Sequence, residues 1–383
     1  MRELKPDLAQ ALTPGGPVLT GREAGDLWRH APSQRVRDLA WCSLSPPLLS
    51  HLPAEYGGEP FGLASWPAQA RSTWQRWLAA ADPAMLPETI AELSRHPDAG
   101  RSLRLGRHAE RLLHFALSHT EGLELLASNV PVRHALPHGV RTLGELDVVW
   151  RDPASGQTVH WEMAAKFYLH VGAPGAPAGD RRAFVGPNLV DRLGDKLDHI
   201  VRRQLPLGRT PQARAALGRE IDRGEVYLLG WLFYRDGVPP PGLDALGIAP
   251  DHLRGWWSTL DDWVARARRQ PGTRWCRLPR AGWLSGARVA ADGSAAADTE
   301  AGMAAGTEVG AALGTEDVED LHAALAQRFA DPHQAHSWRR ESPVMLCELE
   351  PGAGPGSVWQ ERSRGFVVPP GWEARARERA GTA

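Results

Sequence analysis

Glu145, Asp147 and Glu162 are the residues of this 383-residue chain whose types and spacing could support chemistry. They lie in residues 142–170, TLGELDVVWRDPASGQTVHWEMAAKFYLH. The odd positions Trp161, Met163, Ala165, Phe167 and Leu169 are apolar. The even positions from His160 to His170 are polar apart from Ala164. A period of two marks a strand. Upstream, Glu145 and Asp147 share one face while Leu146, Val148 and Trp150 take the other. Between the two runs, Asp152 to Gln157 reads as a hairpin loop. With Arg151 opposite Thr158, Asp147 falls opposite Glu162 on the same face. Like charges so placed destabilise a sheet, and the arrangement asks for a cation. A hard divalent ion suits oxygen ligands, and Mg²⁺ takes one or two carboxylates plus water and phosphate. The alternative is a solvated hairpin in which Lys166 neutralises one acid and water the others.

Lysine is scarce. Of 44 basic residues only Lys5, Lys166 and Lys196 are lysines. The chain uses Arg wherever a generic positive charge suffices, so a Lys among acids and another in the next helix stand out. A lysine amine is a compact point charge whose pKa can shift, which a guanidinium cannot match.

The elements that must position these groups follow from periodicity. Leu103 to His119 reads as a helix with Ala109, Leu112, Leu113, Ala116 and Leu117 as its apolar stripe. Glu110 borders that stripe and, on pattern alone, is a surface residue beside Arg107 and Arg111. Arg101, Arg104, Arg107 and Arg111 make a basic run that suits phosphate or solvent. Leu123 to Arg133 offers a first strand, and the acidic hairpin follows. VGAPGAPAGD, residues 171–180, reads as a flexible loop with the character of a lid. Asn188 to Leu205 predicts a helix with Asp191 and Lys196 flanking its stripe. Glu225 to Asp236 predicts a strand apolar on both faces and therefore central. Ser258 to Arg269 predicts a helix capped by Ser258. Upstream, residues 1–100 form a mainly helical N-terminal region, and residues 101–285 the core. Residues 286–320 carry Ala, Gly and acids and read as a disordered linker, with 321–383 docking back on the core.

Net charge is −1, but residues 289–320 hold eight acids and no Lys or Arg. Without them the balance is 44 basic to 37 acidic, compatible with a phosphate-bearing partner. Three scattered cysteines, Cys42, Cys276 and Cys347, fit a reducing compartment and exclude a CxxC zinc site. With no membrane-length apolar run and no signal-peptide core, a cytoplasmic location is expected. No P-loop or GxGxxG stands where a nucleotide fold needs it, so no nucleotide cofactor is expected, and no GxSxG occurs.

The phrases VRDLAWCSLSPPLL, GRHAERLLHFAL, LGELDVVW, WEMAAKFYL, FVGPNLVDRLGDKL, HLRGWW and RGFVVPPGW give the chain a family resemblance. It resembles a bacterial family called domain of unknown function 1853, which is assigned to the PD-(D/E)XK nuclease-like superfamily. The resemblance implies an α/β (α+β) fold with a restriction-endonuclease-like αβββαβ core. It implies a metal-dependent nuclease acting on DNA or RNA with Mg²⁺ or Mn²⁺. Asp147 and Glu162 would be ligands, with Glu110 assisting and Glu145 as an extra or supporting acid. A lysine would position water or stabilise phosphate charge. The superfamily lysine stands two residues after the acid, where this chain has Ala164. Lys166 lies about 6–7 Å further along, unless a bulge returns it or Lys196 reaches in from the helix. The alternative function is a nuclease-derived fold that binds nucleic acid or a protein without cutting.

Overall fold

The computed structural model describes residues 26–31, 33–56, 61–80, 105–173, 175–290, 314–330, 342–352 and 358–381. Its fold is α+β. Among the described residues one mixed sheet of eleven strands runs through it, with helices on both faces. The strands are β1 (Phe61–Leu63), β2 (Glu124–Leu136), β3 (Gly139–Arg151), β4 (Thr158–His170) and β5 (Phe184–Val185). They continue with β6 (Arg223–Arg235), β7 (Leu253–Thr259), β8 (Arg274–Arg277), β9 (Arg288–Ala290), β10 (Val344–Pro351) and β11 (Val358–Val368). The main path is β2-β3-β4-β6-β7-β11-β10-β8. The central pairs β4–β6, β6–β7 and β7–β11 are parallel, and the hairpins at both sides are antiparallel.

The N-terminal helices α1 (Gln34–Leu44) and α2 (Ala68–Ala80) pack beside α3 (Leu105–His119) on one face. Short polar links tie them to the sheet: Trp66 Nε1 donates to Tyr227 Oη at 3.0 Å, and Tyr227 Oη to the Cys42 carbonyl at 2.8 Å. The region is not wholly helical, because β1 adds a parallel strand to the start of β6. The apolar stripe of α3 is buried as its spacing requires. Arg101 and Arg104 lie outside the described residues.

On the opposite face α4 (Leu193–His199) continues through a π-helical turn, Ile200–Gln204, to Leu207. Leu193, Leu197 and Ile200 pack with Ala164, Tyr168 and Val226. The helix starts later than Asn188, because residues 186–191 form a turn with Leu189 at φ 59°. Both sides of β4 are therefore covered. The polar face of the hairpin is not solvated: Glu162 is 2 % exposed. Within the stretch 171–180, the Ala178 N–H donates to the Pro241 carbonyl.

Helix α5 (Pro211–Leu217) braces β2. The expected Ser258 cap is corrected. Ser258 lies buried in β7 and donates to Asp236 at 3.1 Å, while Thr259 caps α6 (Leu260–Ala267). The boundary of the expected linker also moves. Residues 288–290 form β9, Glu316 exchanges backbone hydrogen bonds with Trp275, and α7 (Val318–Ala330) begins at 318. Glu316 also accepts two hydrogen bonds from Arg277, at 2.7 and 2.9 Å. The stretch 291–313 lies outside the described residues. Cys276 and Cys347, remote in sequence, are buried partners across β8 and β10. Helix α8 (Trp372–Ala380) closes the described fold.

Pairing of β4 with β6 is unbroken from Val159–Arg223 to Leu169–Phe233, with Lys166 opposite Gly230. No bulge carries Lys166 back toward Glu162. Gly230 has φ 150°, and a Cβ there would overlap the Lys166 carbonyl oxygen. Gly230→Ala should therefore cost about 3 kcal/mol or more, read as a lowered urea midpoint. An unchanged midpoint would show that the β4–β6 spacing yields freely.

Candidate functional site

The β3–β4 ladder holds Arg151 opposite Thr158 and ends at Val148 opposite Trp161. The turn that sets this register is closed by Asp152, which accepts from Ser155 Oγ at 2.7 Å, and by Gly156 at φ 71°. At the next step outward the strands part. There the Asp147 carboxylate, not a backbone carbonyl, takes the Met163 N–H at 3.0 Å. Glu162 stands beside it. His160 Nε2 approaches Glu162 Oε1 at 3.1 Å, and Gln204 Nε2 donates to Oε2 at 3.4 Å. Gln204 comes from the π-helical turn, a distortion often found at functional sites.

Burial dominates the electrostatics. Desolvation, then the Glu162 charge, pushes Asp147 up to about 7. Desolvation pushes Glu162 up to about 7, against the pull of Lys196 and Gln204. Glu110, on α3, rises to about 7 through burial and then the charges of Asp147 and Glu145. His160 is held down at about 4 by desolvation, which favours the neutral ring. Its Nδ1 is buried with no hydrogen-bond partner among the described residues. His114 is likewise held down at about 4 by burial, beside the Asp147 backbone.

The two lysines take different positions. Lys166 pairs with Asp191, at the end of the 186–191 turn. Lys196 points in from α4. Burial first, then the Lys166 ammonium, lowers its pKa, while Glu162, Asp147 and Asp191 oppose the shift. Among the described residues its amine has no ion pair or hydrogen bond.

Asp147, Glu162, Glu110, Lys166 and Lys196 are thus brought into one electrostatic neighbourhood. Glu145 is at its margin and exposed. Among the described residues, no three His, Cys, Asp or Glu side chains converge closely enough to hold an ion. The converging pair is Asp147 with Glu162, and Glu110 and Glu145 do not close on the same point. Two hard carboxylates with water and phosphate completing the shell suit Mg²⁺ or Mn²⁺, and their raised pKa values mark charge that lacks compensation. The sequence does not mark His160 or Gln204 as site residues, and it gives Asp191 only as flanking the helix stripe. His160 shared Glu162's strand face, a visible signal, whereas Gln204 depends on the helix distortion.

These features define an α+β protein with a desolvated carboxylate pair at a fork in its sheet, faced by lysine. The chain belongs to the family described as domain of unknown function (DUF1853), whose model matches residues 37–368. No curated protein and no solved structure matches it. No helix among the described residues is long and apolar enough to cross a membrane.

Folded-state values near 7 for the three carboxylates exceed unfolded values of about 4. The folded chain then holds protons that the unfolded chain releases, so these groups favour folding below about pH 4. Their contribution is lost as pH rises toward 7. Glu162→Gln, which keeps shape without charge, should raise the metal-free thermal midpoint at pH 8. The gain should correspond to roughly 1–3 kcal/mol and shrink toward zero as pH falls below about 4. A gain independent of pH would assign the effect to packing.

Proposed function

We propose that this chain is a metal-dependent phosphodiesterase of the PD-(D/E)XK nuclease type, acting on nucleic acid. The observation that carries the reading is the pairing of half-buried Asp147 with buried Glu162 at the strand fork, faced by the Lys196 amine, which has no ion pair among the described residues. The order helix α3, strands β2, β3 and β4, helix α4 and parallel strand β6 supports it, since the superfamily's αβββαβ core has that sequence of elements.

Asp147 and Glu162 would hold Mg²⁺ or Mn²⁺, with Glu110 assisting through water. The ion would supply Lewis acidity and a water of lowered pKa. The chain's own groups do the rest. The Met163 N–H fixes Asp147, and His160 with Gln204 fixes both oxygens of Glu162. Lys196, partly desolvated, offers charge to a phosphate oxygen. Lys166, held by Asp191, sets the local field and the position of the 186–191 turn.

A second reading, a fold that binds nucleic acid without cutting, is favoured by one observation. The position two residues after Glu162 is Ala164, and Lys166 is already engaged by Asp191. Calorimetric titration separates the parts. Asp147→Asn should weaken Mn²⁺ binding at least tenfold, and unchanged affinity would remove the metal reading. Lys196→Met should abolish Mn²⁺-dependent cleavage of DNA or RNA while leaving Mn²⁺ affinity near wild type. If Lys166 acts on phosphate, Lys166→Arg should fail despite its retained charge; if it pairs structurally, arginine should substitute. Wild-type protein that binds Mn²⁺ yet cleaves nothing would put the binding fold ahead.

A further inference from the structure

We propose that the distal halves of β2 and β3 form an arm that grips double-stranded DNA by lying as a ribbon in the major groove. The inference rests on the phosphodiesterase reading and names the duplex as substrate. Strand β4 leaves β3 after Val148, yet β2 stays paired with β3 as far as Leu136 opposite Gly139. Residues 139–147 and their partners therefore run past the fork as two strands, over a length on the order of 30 Å.

The arm's foot is fixed and its tip is not. Val132, Leu146 and Val149 pack with Leu207, Ala213 and Ile221, and Gln212 meets His134 at 3.2 Å. Further out, Leu136 and Val140 are 47 % and 68 % exposed, and Leu143, nearer the foot, is 40 % exposed. Between Val130 and Gly144 the arm carries Arg133, His134, His138 and Arg141 and no acid. Among the described residues neither guanidinium has an ion pair or side-chain hydrogen bond.

Register decides what such an arm fits. Arg133 lies opposite Thr142 and His134 opposite Arg141, so the two arginines project from opposite faces of the ribbon. Charge on both faces matches a groove walled by phosphate on each side, not a flat surface. The major groove of B-form DNA admits a two-stranded ribbon, and set edge-on it turns the Arg133 face and the Arg141 face each toward one phosphate wall. The deep, narrow major groove of duplex RNA does not. Pro131, on the edge strand β2, withholds a backbone N–H and works against strand addition by a second copy. Asp147 stands at the arm's foot on the same strand, so a duplex held by the arm adjoins the carboxylate pair.

The test is fluorescence anisotropy with a labelled duplex of about two helical turns, in EDTA, across a salt series. Arg133→Ala/Arg141→Ala should weaken duplex binding at least tenfold and reduce the salt slope by about 2. Its thermal midpoint and Mn²⁺ affinity should match wild type, and wild type should prefer duplex DNA over duplex RNA and single strands. Unchanged affinity and slope, equal binding of duplex RNA, or no duplex binding at all would overturn the proposal. So would a wild-type dimer that Leu136→Ser/Val140→Ser dissociates without altering DNA binding. Mn²⁺ affinity is read separately, so an arginine effect in a chain that binds no Mn²⁺ would keep the arm and overturn the metal reading.

Discussion

One hydrogen bond marks where the sheet opens: the Asp147 carboxylate accepts the Met163 N–H. A backbone donor in a sheet interior needs a partner, and an orphan would cost roughly 1–3 kcal/mol. By supplying that partner from a side chain, the chain lets β3 and β4 diverge without stranding the donor. The same bond turns Asp147 inward beside Glu162. Strand divergence and carboxylate pairing are thus one event. The arm outward of the fork and the acids at it share this origin.

Everything arrayed around the fork compensates for charge placed in a poorly solvated spot. His160 and Gln204 occupy the two oxygens of Glu162, yet both are neutral and leave the negative charge undiminished. Lys196 has no ion pair among the described residues, and burial weakens its own hold on a proton. The raised pKa values of Asp147 and Glu162 mark charge that their own surroundings do not fully compensate.

The sequence pattern made the fork legible to a useful depth. Period-two alternation and the Asp152–Gln157 turn together set the register, because one face had to be apolar and the turn admits few lengths. The α3 stripe was legible for the same reason. Other features depended on tertiary context. Alternation in β4 marks a polar face but cannot tell that α4 will cover it, so a solvated hairpin stays open as an alternative until the fold is seen. Helical spacing runs through Asn188–Leu205, yet the turn at Leu189 delays the helix and gives Asp191 to Lys166. Gln204 reaches Glu162 only because the helix widens to a π turn, which no local propensity announces. The Ala, Gly and acids of 286–320 suggested an unpacked linker, but both flanks of that stretch carry strand or helix.

Strand β11 occupies a place in the sheet that has a temporal consequence. It sits between β7 and β10, about a hundred residues after the strand it pairs with in parallel. During synthesis β7 emerges with one side satisfied by β6 and the other an open row of donors and acceptors until residue 368 is available. Parallel pairing at that separation is slow, since loop closure precedes any gain from contact. The nascent chain is therefore vulnerable over the interval between those two strands, with an unfinished edge that invites other strands. A short soluble piece ending near residue 285 would carry that edge permanently. The fork and its acids, though complete in sequence by residue 204, wait for the last strand before the sheet that bears them is closed.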